Sequence, residues 1–406
     1  MTSLNNRVIW IAILVAALGY FVDIYDLILF SIVRLKSLRG IGVAENELLS
    51  QGVFLLNMQM IGMLLGGILW GIFGDKKGRL SVLFGSILLY SGANILNGLV
   101  HSVGMYAVLR FVAGIGLSGE LGAGVTLVSE IIPKEVRGYG TMIVATVGIL
   151  GAIVAATVGD LFNWRTAYFV GGVMGILLLI LRVSVQESPL FQSLGKKPVK
   201  RGNLFLILKS KENVVRYLSC IFIGVPIWFV IGILITFSPE FGKALNITPL
   251  PDPGRAVMLT YIGLALGDLG SGVLSQLLGS RKKIVGGFLS LTGIFIAVYL
   301  LCPHPTLGFF YMNCLALGIA GGYWAVFVTI AAEQFGTNIR STVTTTVPNF
   351  VRGSVVPLSF LFQFFKPGLG IIQSAGLVAS LFVGLAFVAL NFLQETHGKD
   401  LDYRET

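Results

Sequence analysis

Two aspartates lie three positions apart in the apolar stretch ALGYFVDIYDLILFSIV, residues 17–33. A run of this kind is long enough to cross a bilayer, since a spanning helix needs about 20 mostly apolar residues. Residues three apart share one face of a helix, so Asp23 and Asp26 are expected to face the same interior space. Because desolvation disfavours a charged carboxylate, an acid that moves between water and apolar surroundings binds and releases a proton. The spacing therefore indicates proton binding.

Four further ionisable residues fall well inside apolar runs: Arg110, Glu120, Asp268 and Arg352. A charge at mid-bilayer costs roughly 2.5–3.5 kcal/mol on insertion scales, so six unpaired charges would cost about 15–20 kcal/mol. These groups must therefore be paired, protonated or in contact with water. In one interpretation they pair with each other and only hold helices together. In the other they line a central cavity and act on a ligand or a proton.

Arg352 and Asn349 are also three apart, which predicts a guanidinium fork and an amide on one helix face. A fork of this geometry binds a carboxylate through two parallel hydrogen bonds. We therefore expect an organic anion as the ligand, with Arg110 and Asp268 as further contacts. Aromatic side chains could form an apolar wall, and the candidates are Tyr25, Trp228, Phe229, Tyr323 and Trp324.

The composition is that of a membrane protein, with 55% hydrophobic and 12% charged residues among 406. The net charge of +10 does not indicate nucleic-acid binding, because the basic residues lie in short segments between apolar runs. The three cysteines are widely spaced and the three histidines do not cluster, so neither disulfides nor a metal site is expected. Without a nucleophile–base pair or a phosphate-binding loop, the sequence predicts neither an enzyme nor a cofactor.

Twelve apolar runs are long enough to span a bilayer, which predicts an all-α membrane protein with both termini on one side. Twenty Lys and Arg residues fall in the segments on the side of the termini and seven in the opposite segments. Because cytoplasmic segments carry the basic excess, both termini are predicted to be cytoplasmic, in an inner membrane of bacterial type. The spans are expected at 8–33, 52–73, 80–100, 104–131, 139–159, 166–185, 217–238, 256–279, 284–302, 306–332, 342–365 and 370–393.

The sequence predicts two related halves, 1–189 and 214–406, joined by a basic cytoplasmic linker at 190–213. GGILWGIFGDKKGR (66–79) aligns with GSGVLSQLLGSRKK (270–283) at an offset of 205, and SEIIPKEVRG aligns with AEQFGTNIRS at an offset of 203. Two matches at nearly one offset indicate an internal duplication, and paired six-helix repeats are typical of secondary transporters. The glycine-rich segments GGILWG and GIGLSGELGAG are expected at close helix contacts.

Several motifs resemble those of the major facilitator superfamily. GIFGDKKGRL (71–80) is similar to its Gly-x-x-x-Asp-Arg/Lys-x-Gly-Arg loop, and RFVAGIG (110–116) to the Arg-x-x-x-Gly-x-Gly of its fourth helix. ESPLF (187–191) and ETHGKDLD (395–402) resemble signatures that close each half in sugar porters and related symporters. The resemblance covers the whole chain and implies two pseudo-symmetric six-helix bundles. It also implies a cytoplasmic gate of ion pairs between the halves, with the candidates Asp75, Arg79, Glu130, Arg137, Glu333 and Arg340.

Two further motifs resemble the metabolite and aromatic-acid proton symporters of that superfamily. DIYDL (23–27) is similar to their Asp-Gly-Tyr-Asp-Leu, with Ile24 in place of glycine, and PNFVRG (348–353) to their Tyr-Asn-x-Gly-Arg, with Val351 in place of glycine. The resemblance makes Asp26 the first candidate for the proton carrier, with Asp23 or Glu120 sharing the proton. The seventh helix lacks the paired glutamines of sugar porters, which disfavours a hexose. The fifth lacks the Gly-Pro motif of drug antiporters, which disfavours export.

Together these features predict proton-coupled uptake of a small organic metabolite, with a carboxylate as the expected substrate, by alternating access. A proton-driven exporter is the alternative within transport. A channel or a receptor-like membrane protein is the alternative from another class, although duplicated halves with paired gate motifs are not typical of either. The expected partners are a small substrate, protons and the lipid bilayer, without nucleic acid, and the chain is expected to work as a monomer.

Overall fold

The computed structural model describes residues 6–77, 79–120, 122, 137–182, 210–336 and 340–397. These parts of the chain are helical and contain no strand. Their helices, numbered in chain order, are α1 (Asn6–Gly40), α2 (Leu48–Lys77), α3 (Arg79–Asn97), α4 (Val103–Leu117), α5 (Arg137–Leu161), α6 (Trp164–Arg182), α7 (Lys211–Phe229), α8 (Ser238–Ala244), α9 (Pro253–Leu277), α10 (Arg281–Leu301), α11 (Leu307–Gly321), α12 (Trp324–Glu333), α13 (Arg340–Gly353) and α14 (Val355–Phe392).

The described helices account for twelve membrane crossings. Nine are long and apolar enough to cross a membrane, and two shorter ones, Val103–Leu117 and Val147–Leu161, are also apolar. One of the nine, Thr342–Phe392, is interrupted at Gly370, whose φ of 77° lies in the left-handed region, so it supplies two crossings. Six crossings precede the segment 183–209 and six follow it, which confirms the predicted all-α fold. An even number of crossings places the first and last described residues, 6 and 397, at one end of the bundle, and we call the opposite end the far end.

Polar residues just ahead of the apolar runs determine where several helices begin. A side-chain oxygen accepts a hydrogen bond from the backbone N–H three residues later and so satisfies one of the free donors of the first turn. The residues that do this are Ser102 before α4, Asp252 before α9, Ser280 before α10 and Thr306 before α11. At α1 the helix continues to Gly40, so Arg34 and Lys36 lie within a helix and not in the loop that the span limits predicted.

Glycines bring one pair of helices into backbone contact in each half. A Cβ added to Gly62 or Gly114 would lie 2.2 or 2.1 Å from a carbonyl oxygen across the α2–α4 contact. On Gly263 or Gly318 it would lie 2.2 or 2.0 Å from a carbonyl oxygen across the α9–α11 contact. Because real Cβ atoms do not approach that closely, only glycine permits this helix spacing. The second half thus repeats the contact of the first about 200 positions later.

The two halves are in contact where α2 packs against α13 and where α5 packs against α9. Helix α1 packs on α5 and α6 of its own half and also touches α9 of the other, so it lies beside the division between the halves. The proposed domain limits stay a prediction. Residues 190–209 of the predicted linker lie outside the described part of the chain, and α7 begins at Lys211, before the predicted end of the linker.

Several crossings of the second half depart from a regular helix. Helix α7 contains Pro226 and continues into a π-helical segment, Val230–Ile235. The crossing predicted at 306–332 is broken after Gly321, and its second part, α12, begins at Trp324. A proline or a π segment leaves backbone groups outside the regular i to i−4 pattern. Side chains from neighbouring helices can therefore bond to the backbone at these breaks.

Candidate functional site

The two aspartates of α1 are fully buried and face different neighbours. Both carboxylates have 0% exposure, and none of their four oxygens has a hydrogen-bonding partner among the described residues. Asp23 is directed towards the second half, where Arg352 of α13 lies. Asp26 is directed into the first half, towards Asn94 of α3 and Arg110 of α4. One turn of helix thus separates an acid between the halves from an acid inside one half.

Asp23 and Arg352 form a charged pair across the division between the halves. Nη2 of Arg352 lies 3.7 Å from Oδ2 of Asp23, and both side chains are at most 1% exposed. The guanidinium carbon of Arg352 lies 5.9 Å from the ring centroids of both Trp228 and Trp324. Because a cation is attracted to the face of an aromatic ring within about 6 Å, the two indoles stabilise the guanidinium. The structure therefore brings together four of the predicted site residues.

Asp26 and Arg110 belong to a second buried polar region, within the first half. A Cβ on Gly171 of α6 would lie 2.2 Å from Oδ1 of Asp26, so the carboxylate packs directly on the α6 backbone. Arg110 donates a hydrogen bond to Gln59 of α2 and lies 4.7 Å from the ring of Phe30. Its Nε and Nη1 atoms have no partner among the described residues. A buried acid and a buried base thus lie near each other without a direct hydrogen bond.

Asn349 does not accompany Arg352 into the space beside Asp23. Its amide donates to the carbonyl of Ser118 at 2.9 Å and to the carbonyl of Thr345 at 3.0 Å. The same side chain packs on Gly67 of α2. In this conformation the amide therefore joins the halves, and its role as a substrate contact stays a prediction.

Glu120 forms a buried ion pair with Arg182 of α6. Nη1 of Arg182 lies 3.0 Å from Oε2 of Glu120, Nη2 contacts Oε1, and both side chains are 1% exposed. Gly19 of α1 leaves room for the pair, since a Cβ there would lie 2.1 Å from each partner. A pair with two parallel N–H···O contacts is stronger than a single hydrogen bond between neutral groups. A share in proton coupling stays a prediction for Glu120, which would have to leave Arg182 to fulfil it.

Two other predicted substrate contacts have structural partners in this conformation. Oδ1 of Asp268 accepts a hydrogen bond from the N–H of Ala325 at 3.1 Å, so Asp268 caps the helix that restarts at Trp324. The hydroxyl of Tyr25 donates to the carbonyl of Ala167 of α6 at 2.8 Å. The predicted span runs through the helix break that Asp268 caps, although the adjacent Gly321 and Gly322 are a sequence signal for a break.

Of the six predicted gate residues, the structure describes the side chain of one. Glu333, at the end of α12, pairs with Arg281 of α10 at 2.9 Å, within the second half. Glu130 lies outside the described residues. Helices α2, α3, α5 and α13 include the other four positions, but the side chains lie outside the described part: Asp75, Arg79, Arg137 and Arg340. The gate between the halves stays a prediction.

A cluster at the far end joins the halves and was not predicted from sequence. Arg34 of α1 pairs with Glu240 of α8 at 2.7 Å, and its guanidinium carbon lies 4.6 Å from the ring of Phe237. The hydroxyl of Thr236 donates to the hydroxyl of Ser31 at 2.9 Å. We call Ser31, Arg34, Thr236, Phe237 and Glu240 the far-end cluster. Arg34 is fully buried. The predicted spans place it in a loop, where its charge counts only towards the orientation of the chain in the membrane.

Two phenols that the sequence did not single out complete the surroundings of Asp23. Tyr20 of α1 lies close enough to both Asp23 and Arg352 to interact electrostatically, and Tyr261 of α9 does the same from the second half. Tyr20 precedes Asp23 by three positions and so shares its helix face, which is a signal that the sequence did contain. Tyr261 lies in an apolar run with no such marker.

A model of the Major Facilitator Superfamily matches residues 9–358. The chain belongs to this superfamily, and it is a multi-pass membrane transporter of small metabolites rather than an enzyme. It is 27% identical to a metabolite transport protein of Haemophilus influenzae, over 99% of this chain and 100% of that protein. It is 24% identical to the sialic acid transporter NanX of Escherichia coli, over 72% and 70% of the two chains. The proton:xylose symporter XylE bound to 6-bromo-6-deoxy-D-glucose has the same fold, with a TM-score of 0.74, 18% identity and 98% coverage of both chains.

Proposed function

We propose that the protein is a proton-coupled symporter that imports a small organic carboxylate across the cytoplasmic membrane. The observation that carries the proposal is the pair formed by Asp23 and Arg352, which come from different halves and are almost fully buried. Alternating access moves one half against the other around a central site. A ligand that engages either member of this pair therefore has a different interaction energy in the two arrangements, as a transported substrate requires.

Arg352 is the proposed anchor for the substrate. Its planar fork can hold a carboxylate through two parallel hydrogen bonds, and Trp228 and Trp324 provide aromatic faces beside it. The relative NanX is a sialic acid transporter, and sialic acid is a carboxylate, which supports the same class of substrate here. Asn349, Arg110, Asp268 and Tyr25 are proposed as outer contacts that the substrate reaches after the halves move.

Asp26 is the proposed proton carrier, with Asp23 or Glu120 sharing the proton. The carboxylate of Asp26 is buried without a hydrogen-bonding partner among the described residues, so no fixed donor holds it in the charged form. Both termini are proposed to be cytoplasmic, which makes the far end external. The proposed internal gate consists of Asp75, Arg79, Glu130, Arg137, Glu333 and Arg340, and the transporter is proposed to act as a monomer.

Ligand binding is tested first, with the purified protein and a panel of nicotinate, benzoate, N-acetylneuraminate, L-proline, D-xylose and choline. A ligand that binds the native state raises its melting temperature. We expect stabilisation by at least one of the carboxylates and none by choline. Stabilisation by xylose or choline alone would contradict a carboxylate substrate. Nicotinamide, which has the ring of nicotinate without its charge, is the matched control.

Transport is tested in proteoliposomes with the acid that binds best. We expect accumulation when the outside is made acidic and its loss when a protonophore collapses the gradient. Uptake that is unchanged by the protonophore indicates a uniporter. If acidifying the outside instead makes the vesicles release preloaded substrate, the protein is an exporter. Liposomes without protein measure the passive entry of the protonated acid, which must be subtracted.

A further inference from the structure

We infer that the carboxylates of Asp23 and of the substrate pair with the guanidinium of Arg352 in turn. Asp23 must then be protonated while substrate is bound. The inference rests on the proposed function and specifies the coupling step within the same site. It makes Asp23 the group that links substrate binding to proton binding. Asp26, one turn further along α1, then carries this same proton only in a later step of the cycle, after substrate has bound.

The contact between Asp23 and Arg352 leaves most of the guanidinium unused. At 3.7 Å the separation of Nη2 and Oδ2 exceeds the 2.7–2.9 Å that is usual for a charge-assisted hydrogen bond. Nε and Nη1 of Arg352 are buried and have no partner among the described residues. A guanidinium carries five N–H donors and can never act as an acceptor. The side chain is therefore neutralised by Asp23 but still able to hold a second carboxylate through its fork.

The other charged groups near Asp23 are balanced without it. The titratable groups that face Asp23 among the described residues are Arg352 on α13, Glu120 after α4, Arg182 on α6, Tyr20 and Asp26 on α1, Tyr90 on α3 and Tyr261 on α9. Glu120 and Arg182 pair with each other. Asp26 faces Arg110, and the three tyrosines are uncharged at neutral pH. Arg352 is therefore the counter-ion of Asp23.

An entering carboxylate would leave this site with one cation and two anions. A buried charge that loses its partner is strongly unfavourable, and two like charges beside one cation are no better. A proton from the external solution that binds a carboxylate oxygen of Asp23 removes the excess charge. The substrate carboxylate then accepts the N–H donors of Arg352. After the substrate leaves on the other side, the proton dissociates from Asp23 into that solution and the pair forms again.

This exchange fixes the stoichiometry for a monocarboxylate. One proton enters with one negative charge, so the transported unit is electrically neutral and the charge of the site is the same when empty and when loaded. Above the pKa of Asp23, each pH unit should weaken binding about tenfold, because one proton must be taken up for each substrate bound. A dicarboxylate would carry its second charge through the cycle without compensation from this pair.

The test is calorimetry of binding, with nicotinate as the first probe and otherwise the panel acid that most stabilises the wild type. Titrations at one alkaline pH in two buffers with different ionisation heats give the number of protons taken up per ligand. We expect about one proton for the wild type, about none for Asp23→Asn and about one for Asp26→Asn. The two variants are matched, since each replaces one buried carboxylate of α1 by its isosteric amide.

Proton uptake that persists in Asp23→Asn, or that is lost in Asp26→Asn, would overturn the inference and make Asp26 the coupled group. If Asp23→Asn cannot be isolated folded, the wild type alone decides: a dissociation constant that does not change between pH 7 and 9 also overturns it. Failure of the proposed function looks different, because then no carboxylate of the panel binds the wild type at all.

Discussion

The far-end cluster is expected to hold the far end of the transporter closed, which is the external side in the proposed orientation, and Glu240→Gln tests this. The substitution removes the charge opposite Arg34, which is 1% exposed, while it keeps the shape of the side chain. Removal of one partner from a buried ion pair costs about 3–5 kcal/mol. Glu240 is 18% exposed, and Arg34 keeps a long bond to the carbonyl of Thr236 at 3.4 Å, so we expect a smaller cost of about 2–3 kcal/mol.

Because the pair joins the two halves, this cost falls only on the conformation in which the far end is closed. A loss of about 2–3 kcal/mol shifts the equilibrium towards opening about 30- to 140-fold, at 1.4 kcal/mol for each factor of ten. The reporter is a cysteine in place of Ser359, whose hydroxyl donates to Asn57 across the halves at 2.8 Å and is buried. The background lacks the native thiols Cys220, Cys302 and Cys314. The rate at which the cysteine at position 359 reacts with a membrane-impermeant maleimide added outside measures how readily the far end opens.

We expect Glu240→Gln to accelerate labelling and the paired exchange Arg34→Glu with Glu240→Arg to slow it again. The matched control is Glu45→Gln, which removes the charge opposite Arg39 at the same end, where both side chains are largely exposed. Arg39 holds the pKa of Glu45 below its usual range, but water screens this pair and it lies within one half, so no acceleration is expected. Equal labelling of the Glu240 and Glu45 variants would refute the argument.

Three further outcomes are expected. Glu120→Gln should lower the stability by about 3–5 kcal/mol because it leaves Arg182 buried without its partner, and the added substitution Arg182→Gln should restore part of the melting temperature. Arg352→Lys should weaken carboxylate binding at least about tenfold because it keeps the charge and loses the fork; equal affinity in calorimetry would contradict this. Burial opposes ionisation of Glu395, but hydrogen bonds from Ser280 and backbone N–H groups prevail and lower its pKa to about 2. Its stabilisation is thus complete above about pH 4.5 and lost towards pH 2, and Glu395→Gln should cost about 1 kcal/mol after screening, seen as faster amide exchange in 393–397.

Most of the fold was predictable because each crossing is a local property of the sequence. A helix in lipid must satisfy its own backbone hydrogen bonds, so an apolar run of sufficient length is enough to locate it. The breaks were not predictable in this way. The crossing predicted at 306–332 is interrupted between Gly321 and Trp324, and Asp268 on another helix accepts a hydrogen bond from the first turn after the interruption. The information lies in a contact between distant parts of the chain.

The charged residues of the candidate site could be predicted from the sequence, but not how they are arranged. Charges in apolar runs must have partners or water, so Asp23, Asp26 and Arg352 could be recognised from their positions alone. Which acid faces which base depends on how the helices are rotated about their axes. Asn349 shares a helix face with Arg352 by spacing, yet its amide bonds to the carbonyl of Ser118 and not within the charged centre. A spacing of three residues shows that two side chains lie on the same side of a helix, but not that they point in the same direction.

The sequence by itself determined the twelve crossings, the duplication and the presence of costly buried charges, because hydropathy and repeated motifs are written along the chain. The tertiary structure alone decided that Asp23 meets Arg352 between the halves, that Glu120 is held by Arg182, and that Arg34 closes onto Glu240. The physical reason is that a charge in an apolar run must have a partner, which the sequence reveals. Which residue becomes the partner depends on how the helices pack.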